Sequence, residues 1–172
     1  MAASSHEFTS EIGFSDRPSF LASHRALAVC TREFTKLSEG VVDAVEALAA
    51  SGTTEKPVVR TMPGRCIVQL GPVALTIAWL RSTLDSVADG QLLVMVWRGN
   101  VAPKMNRLPE HQTGRGMTAD IPVALLEESL TAAGQDEATW SWRLGGDGQD
   151  FTSAELAARC VKLLREAYGS AI

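Results

Sequence analysis

The hydrophobic pattern of this chain changes near Pro57 from the period of a helix to that of β-strands, and this change favours a fold that combines helix and sheet. Up to residue 50, apolar residues recur every seven positions, with others three positions later: Phe20, Leu27, Cys30, Phe34, Leu37, Val41, Ala44 and Leu48. This spacing forms one apolar stripe on a helix. It predicts a long helix over residues 17–50, capped by Ser15 or Asp16 and ended by Gly52. Sparse flanking charges favour packing on a sheet over a coiled coil.

After Pro57 the apolar residues alternate or run continuously, as is typical of β-strands. They predict strands over residues 58–61, 65–70, 73–81 and 91–98, with a tight Gly71-Pro72 turn between the second and third. Alternation across that turn places one bulky set on the core side of the sheet: Cys66, Val68, Leu70, Val73, Leu75, Ile77 and Trp79.

Residues 99–119 are rich in glycine and proline and predict a long irregular connection. A short helix is expected next, over residues 122–133, capped by Asp120 and closed by Gly134. The adjacent Glu127 and Glu128 are expected to lie in solvent on it.

The C-terminal part of the chain has clearer local signals. Residues 139–144 alternate and predict a strand with Trp140 and Trp142 inward. Thr152 and Glu155 have the spacing of a capping box and predict the start of a C-terminal helix.

The order of these elements lacks the strand-helix alternation of a parallel doubly wound sheet. It predicts an α+β fold in which an antiparallel β-sheet meander is packed on one face by the long N-terminal helix and the C-terminal helix. A chain of 172 residues has the length of one ordinary domain. We expect residues 1–14, which are small and polar, to be a disordered tail and residues 15–172 to form a single domain.

Charge and cysteine content argue against several classes of protein. The formal net charge of −4 disfavours binding to nucleic acid or to anionic membranes. The start of the chain does not have the pattern of a secretory signal, and the longest apolar run, over residues 92–97, is too short to span a bilayer, so a cytoplasmic location is expected. Cys30, Cys66 and Cys160 are widely spaced and are expected to be buried, with no metal site and no cofactor.

The face of the sheet opposite the core, called here the second face, is the main functional clue. Its residues are smaller but are too apolar for an ordinary solvated surface, and the strand over residues 91–98 is apolar on both faces. The leading hypothesis is therefore a non-enzymatic binding or protein-interaction domain that forms a homodimer. The expected interface residues are Ile67, Leu80, Met95 and Trp97.

An alternative is an enzyme that binds a small anionic molecule in a pocket between the second face and the 99–119 loop. Its candidate ligand-binding residues are Arg65, Arg81, Arg98, His111 and Arg143. Arginines at strand ends can jointly recognise a carboxylate or phosphate, although separate surface charges are the commoner arrangement. No nucleophile elbow or dinucleotide motif is present, so the sequence leaves open whether the protein is an enzyme and names no catalytic residue.

Overall fold

The computed structural model describes residues 19–81, 86–102, 121–145 and 148–172. In it, the apolar stripe forms helix α1, His24–Ala50. The helix begins later than predicted, because Phe20–Ala22 form a short 3-10 turn and the Ser23 hydroxyl accepts a hydrogen bond from the backbone N–H of Ala26. It ends as predicted before Gly52, which has a φ of 74°. The expected tail and the residues predicted to cap the helix lie outside the described residues.

In the described part of the chain, seven antiparallel strands form one sheet in sequence order. They are β1 (Val58–Met62), β2 (Arg65–Leu70), β3 (Val73–Leu80), β4 (Gln91–Arg98), β5 (Val123–Ala133), β6 (Ser141–Leu144) and β7 (Asp150–Phe151). The four strands predicted between residues 58 and 98 are confirmed to within one residue at each end. Leu70 pairs with Val73, so Gly71 and Pro72 form the predicted two-residue turn.

The predicted helix over residues 122–133 is wrong, because this segment is strand β5. Leu126 and Leu130 are four residues apart, a spacing that places them on one side of a strand as well as on one side of a helix. Pairing with β4 on one edge and β6 on the other decides between the two, since it satisfies the backbone hydrogen bonds of the strand.

Strand β5 also places Glu128 on the core side, opposite Val94, with a side chain that is 15% exposed. Its carboxylate accepts hydrogen bonds from the Arg159 guanidinium, with Nε at 3.2 Å. Glu128 is therefore not the solvated residue that the sequence suggested, whereas its neighbour Glu127 is exposed on the second face.

The C-terminal helix α2, Ser153–Ala171, begins at the predicted capping box. The Thr152 hydroxyl accepts from the Glu155 backbone N–H, and the Glu155 carboxylate accepts from the Thr152 backbone N–H. The helix packs against α1 where Gly40 faces Ala157, and a Cβ on Gly40 would lie 3.1 Å from the Ala157 Cβ. Glycine therefore lets the two helices approach closely.

Both helices lie on the same side of the sheet and enclose the core with the predicted inward residues. Trp142 is fully buried and stacks edge-on against Trp140 and Trp79. Trp140 is also buried, as predicted, but Trp79 is only half-buried. The α+β class and the packing of both helices on an antiparallel meander are thus as the sequence predicts.

Candidate functional site

Four of the five residues expected to recognise an anion are among the described residues, and these four do not converge. Arg65 begins β2 and Arg81 follows β3 at one end of the sheet, whereas Arg98 ends β4 at the opposite end. Arg143 lies on β6, four strands from β2 and so about 19 Å away across the sheet. His111 lies outside the described residues.

Arg143 already has a partner. Its guanidinium donates two hydrogen bonds to Asp150, from Nε at 2.8 Å and from a terminal nitrogen at 2.9 Å. The hydrogen bond from Arg143 holds the pKa of the Asp150 carboxyl below its ordinary value. This pair joins β6 to β7 and leaves Arg143 less available for a ligand.

The four expected interface residues all lie on the second face, but they differ in exposure. Ile67 is only 9% exposed in the single chain, whereas Leu80 is 44% exposed. Met95 and Trp97 are half-buried, and the Trp97 indole N–H donates to the Thr76 hydroxyl at 3.2 Å. The exposed part of this face therefore lies toward Leu80.

A wide cleft of about 960 Å³ lies at the end of the sheet that carries Arg98 and Gly99. The Gln69 side chain lies in its wall, but this amide is fully engaged. Its nitrogen lies within hydrogen-bond distance of three carbonyl oxygens, including that of Gly99 at 3.0 Å, and its oxygen accepts from the Val101 backbone N–H at 2.9 Å. Gln69 therefore fixes the chain after β4, and its own side chain offers no free polar group to a ligand.

A second cleft, called here the α1–hairpin cleft, lies between α1 and the turn that joins β1 to β2, and has a volume of about 580 Å³. Pro63 and Gly64 form this two-residue turn, and Gly64 takes the required positive φ of 70°. The Trp79 backbone N–H donates to the Gly64 carbonyl at 2.8 Å and so joins the end of β3 to the turn.

The walls of the α1–hairpin cleft are mostly apolar. One wall is α1, with Leu27, Phe34 and Val42, and the other is Met62 and the Trp79 indole. The Trp79 indole is supported from behind by Gly90, because a Cβ there would collide with its six-membered ring. The volume and the apolar walls of the α1–hairpin cleft are typical of small-molecule sites.

One polar atom in this cleft lacks a partner. Ser38 is only 4% exposed, and its Oγ makes no hydrogen bond of normal geometry within the described part of the chain. The nearby Cys66 thiol has a pKa that burial raises, while the hydroxyls of Thr61 and Ser38 lower it by a smaller amount. The Cys66 thiol is a weak hydrogen-bond partner, so it only partly offsets the cost of burying the Ser38 hydroxyl, and a stronger polar partner would stabilise that hydroxyl further.

No sequence motif singles out Ser38, which lies in the middle of α1. The available signal was its position beside Leu37 and four residues after Phe34, which places a hydroxyl on the apolar side of the helix.

The cleft offers no activated nucleophile among the described residues. Burial raises the pKa of Cys30 to about 12, with the Arg81 charge opposing that rise, so the thiol stays protonated at neutral pH. Cys160, buried elsewhere in the core, has a pKa of about 12 for the same main reason. The described ranges also hold no group of three or more His, Cys, Asp or Glu side chains suited to a metal ion.

Comparison of the chain with known proteins finds no matching family model, curated protein or solved structure. No helix within the described ranges is long and apolar enough to cross a bilayer.

Proposed function

We propose that this protein is a non-enzymatic binding domain that holds a small, mostly apolar molecule in the α1–hairpin cleft. The observation that carries the proposal is the unpartnered Ser38 Oγ in the wall of a cleft of about 580 Å³. A largely apolar cleft with a few polar groups is the usual form of a small-molecule site.

The distribution of apolar and polar groups supports this proposal. Phe34 and Trp79 offer aromatic surface to a flat ligand, and Met62, 44% exposed, can adapt its flexible side chain to the ligand shape. Exposed Thr31 and Thr35 add hydroxyls along the α1 rim, but each donates to a backbone carbonyl four residues earlier. Ser38 is thus the hydroxyl of α1 in this cleft without a hydrogen bond of normal geometry, and because its Oγ is buried, a ligand reaches it only when the side chains around it shift.

Binding is favoured over catalysis because the described cleft residues lack a paired nucleophile and base. Acyl transfer needs a hydroxyl or thiol within hydrogen-bond reach of a base. Ser38 makes no hydrogen bond to one, and the Cys30 thiol is held protonated by burial.

The test is equilibrium binding of the neutral fluorescent probe N-phenyl-naphthylamine to the intact chain. Thr35→Trp places a large ring in the cleft from an exposed helix position, and Lys36→Trp adds the same ring beside it but outside the cleft. We expect Thr35→Trp to weaken binding at least about tenfold and Lys36→Trp to change it by less than about twofold. Absence of probe binding to the unmodified chain, or equal effects of the two variants, would contradict the proposal.

Self-association through the second face is a second candidate function. Leu80 is 44% exposed there, and the neighbouring Leu93 is half-buried. Exposed Arg65 and Glu127 lie on the same face, and neither forms an ion pair with a described residue. Opposite charges on one surface suit a two-fold interface, in which each patch meets its own copy.

The available area favours a weak homodimer. Strands β1–β5 span roughly 500 Å² of projected surface per chain, given strand spacings of ~4.8 Å and ~3.3 Å per residue, but part of it is already covered because Ile67 and Ala74 are buried in the single chain. Two copies would therefore bury less than about 1,000 Å² in total, which is the range of weak, transient contacts.

Sedimentation equilibrium at micromolar concentration tests this candidate. We expect a mass above the 18.4 kDa of one chain that falls to it in Leu80→Arg, but not in Ile172→Arg, which alters an exposed residue at the end of α2. A mass of one chain at every loading would rule the dimer out.

A further inference from the structure

The α1–hairpin cleft carries different charges at its two ends. Arg81 lies near Cys30, since its positive charge opposes the effect of burial on that thiol. Ser38 lies eight residues further along α1, or about 12 Å along the helix axis. Glu39 and Asp43 are exposed on the rim beyond Ser38.

We infer that the ligand of this cleft is a flat apolar monocarboxylate, with its carboxylate on Arg81 and one polar atom at the opposite end on Ser38. This inference rests on the proposed function and names the chemical class of the molecule bound. Arg81 forms no ion pair with any described residue, so its guanidinium is open to a planar two-oxygen group.

A single carboxylate suits the charges better than a phosphate does. Arg81 is the only cationic residue among the described residues that line the cleft, whereas a phosphate dianion needs more than one positive partner. The apolar surface of Phe34 and Trp79 between the two ends requires that the body of the ligand be apolar and flat.

The spacing of the polar groups sets the length of the ligand. The ligand has to span about 12 Å between the Arg81 end and Ser38, and two or three fused rings with a polar group at each end have about this length. At the far end, the Ser38 hydroxyl can both donate and accept a hydrogen bond, so a hydroxyl on the ligand would pair with it once the side chains around the buried Oγ shift.

The experiment compares three anthracene probes that differ only in one terminal group: a carboxylate, a carboxamide of the same shape, and an aminomethyl cation. Fluorescence titration of the intact chain gives a dissociation constant for each. We expect the carboxylate to bind about fivefold more tightly than the carboxamide and the cation to bind least tightly, since an exposed ion pair contributes modestly. The advantage of the carboxylate should shrink as salt is added.

Arg81→Met removes the charge but keeps an unbranched apolar side chain, and Arg65→Met makes the same change at the same end of the sheet but outside the cleft. We expect the preference for carboxylate to disappear in Arg81→Met and to remain in Arg65→Met. Equal binding of carboxylate and carboxamide to the unmodified chain, or a preference that survives Arg81→Met, would overturn the inference while leaving the proposed function in place. Failure of all three probes to bind would overturn both.

Ser38 is tested with the same carboxylate carrying a hydroxyl at its far end. In the unmodified chain this hydroxyl should improve binding about threefold to tenfold, as a neutral hydrogen bond does. In Ser38→Ala the improvement should vanish, while the parent carboxylate binds at least as well as before. A hydroxyl that improves binding equally in both proteins would overturn the role given to Ser38.

Discussion

Replacement of Ser153 by Ala should destabilise the protein by breaking the polar link that joins α1, α2 and β6. Ser153 is the first residue of α2 and is buried. Its Oγ accepts from the Trp142 indole N–H at 3.0 Å and donates to the Glu33 carboxylate at 2.8 Å. Trp142 is fully buried, so its N–H has no access to water once the hydroxyl is gone.

The magnitude follows from the orphaned donor. A buried donor left without a partner costs about 1–3 kcal/mol. Alanine offsets up to about 0.5 kcal/mol of this cost through its higher helix propensity, which leaves a net loss of about 0.5–2.5 kcal/mol. For a chain of this length the midpoint of thermal unfolding should fall by about 2–8 °C.

Urea unfolding followed by circular dichroism measures the change, with Ser170→Ala as the control. The Ser170 hydroxyl is exposed and bonds only to the Glu166 carbonyl, so its removal should change the free energy of unfolding by less than about 0.5 kcal/mol. A double-mutant cycle that combines Ser153→Ala with Trp142→Phe should give a coupling free energy of about 1 kcal/mol between the indole and the hydroxyl. A coupling near zero, or a Ser153→Ala variant as stable as the control, would refute the reasoning.

Three further outcomes are expected. Thr152→Ala should cost about 1 kcal/mol through loss of the α2 cap, and an unchanged urea midpoint would show that the cap contributes nothing. The three cysteines should resist a disulfide reagent until the protein unfolds, and fast labelling of the folded protein would contradict their burial. Because burial raises their pKa values, the stability that they contribute should be fully present below the usual thiol pKa near 8.5 and should fall as pH rises above it. Gly40→Leu should cost about 1–3 kcal/mol by separating α1 from α2 at Ala157, and a neutral effect in urea would mean that the helices do not meet there.

Neighbouring residues in the sequence predicted the end of α1 and the start of α2, because these two helix ends depend on the residues beside them. The end of α1 depends on the positive φ of Gly52, and the start of α2 depends on the hydroxyl of Thr152, so both can be read from neighbouring residues. Strand β5 depends instead on pairing with β4 and β6, which are distant in sequence or follow a loop. Periodicity could not distinguish strand from helix there, because Leu126 and Leu130 fit both.

The candidate site was less predictable than the fold. Arg81 was named as a ligand-binding residue, but with the other arginines of the sheet rather than with Ser38 and α1. The cleft exists because the Pro63-Gly64 turn faces α1 across the end of β3. The distance between the turn and the helix is set by tertiary packing. Sequence reveals the phase of each strand, but it does not reveal how far a helix lies from a turn.

The most direct test of ligand binding in the α1–hairpin cleft is the NMR spectrum of the methionine methyl groups, titrated with the anthracene carboxylate. Met62 lines the cleft, and Met95 lies on the second face of the same sheet and serves as an internal control. Met62→Leu assigns the first signal. We predict that the Met62 methyl shifts with ring currents and shows nuclear Overhauser contacts to the anthracene protons, while Met95 does not change. A shift of Met95 with Met62 unaffected would place the ligand elsewhere and contradict the account.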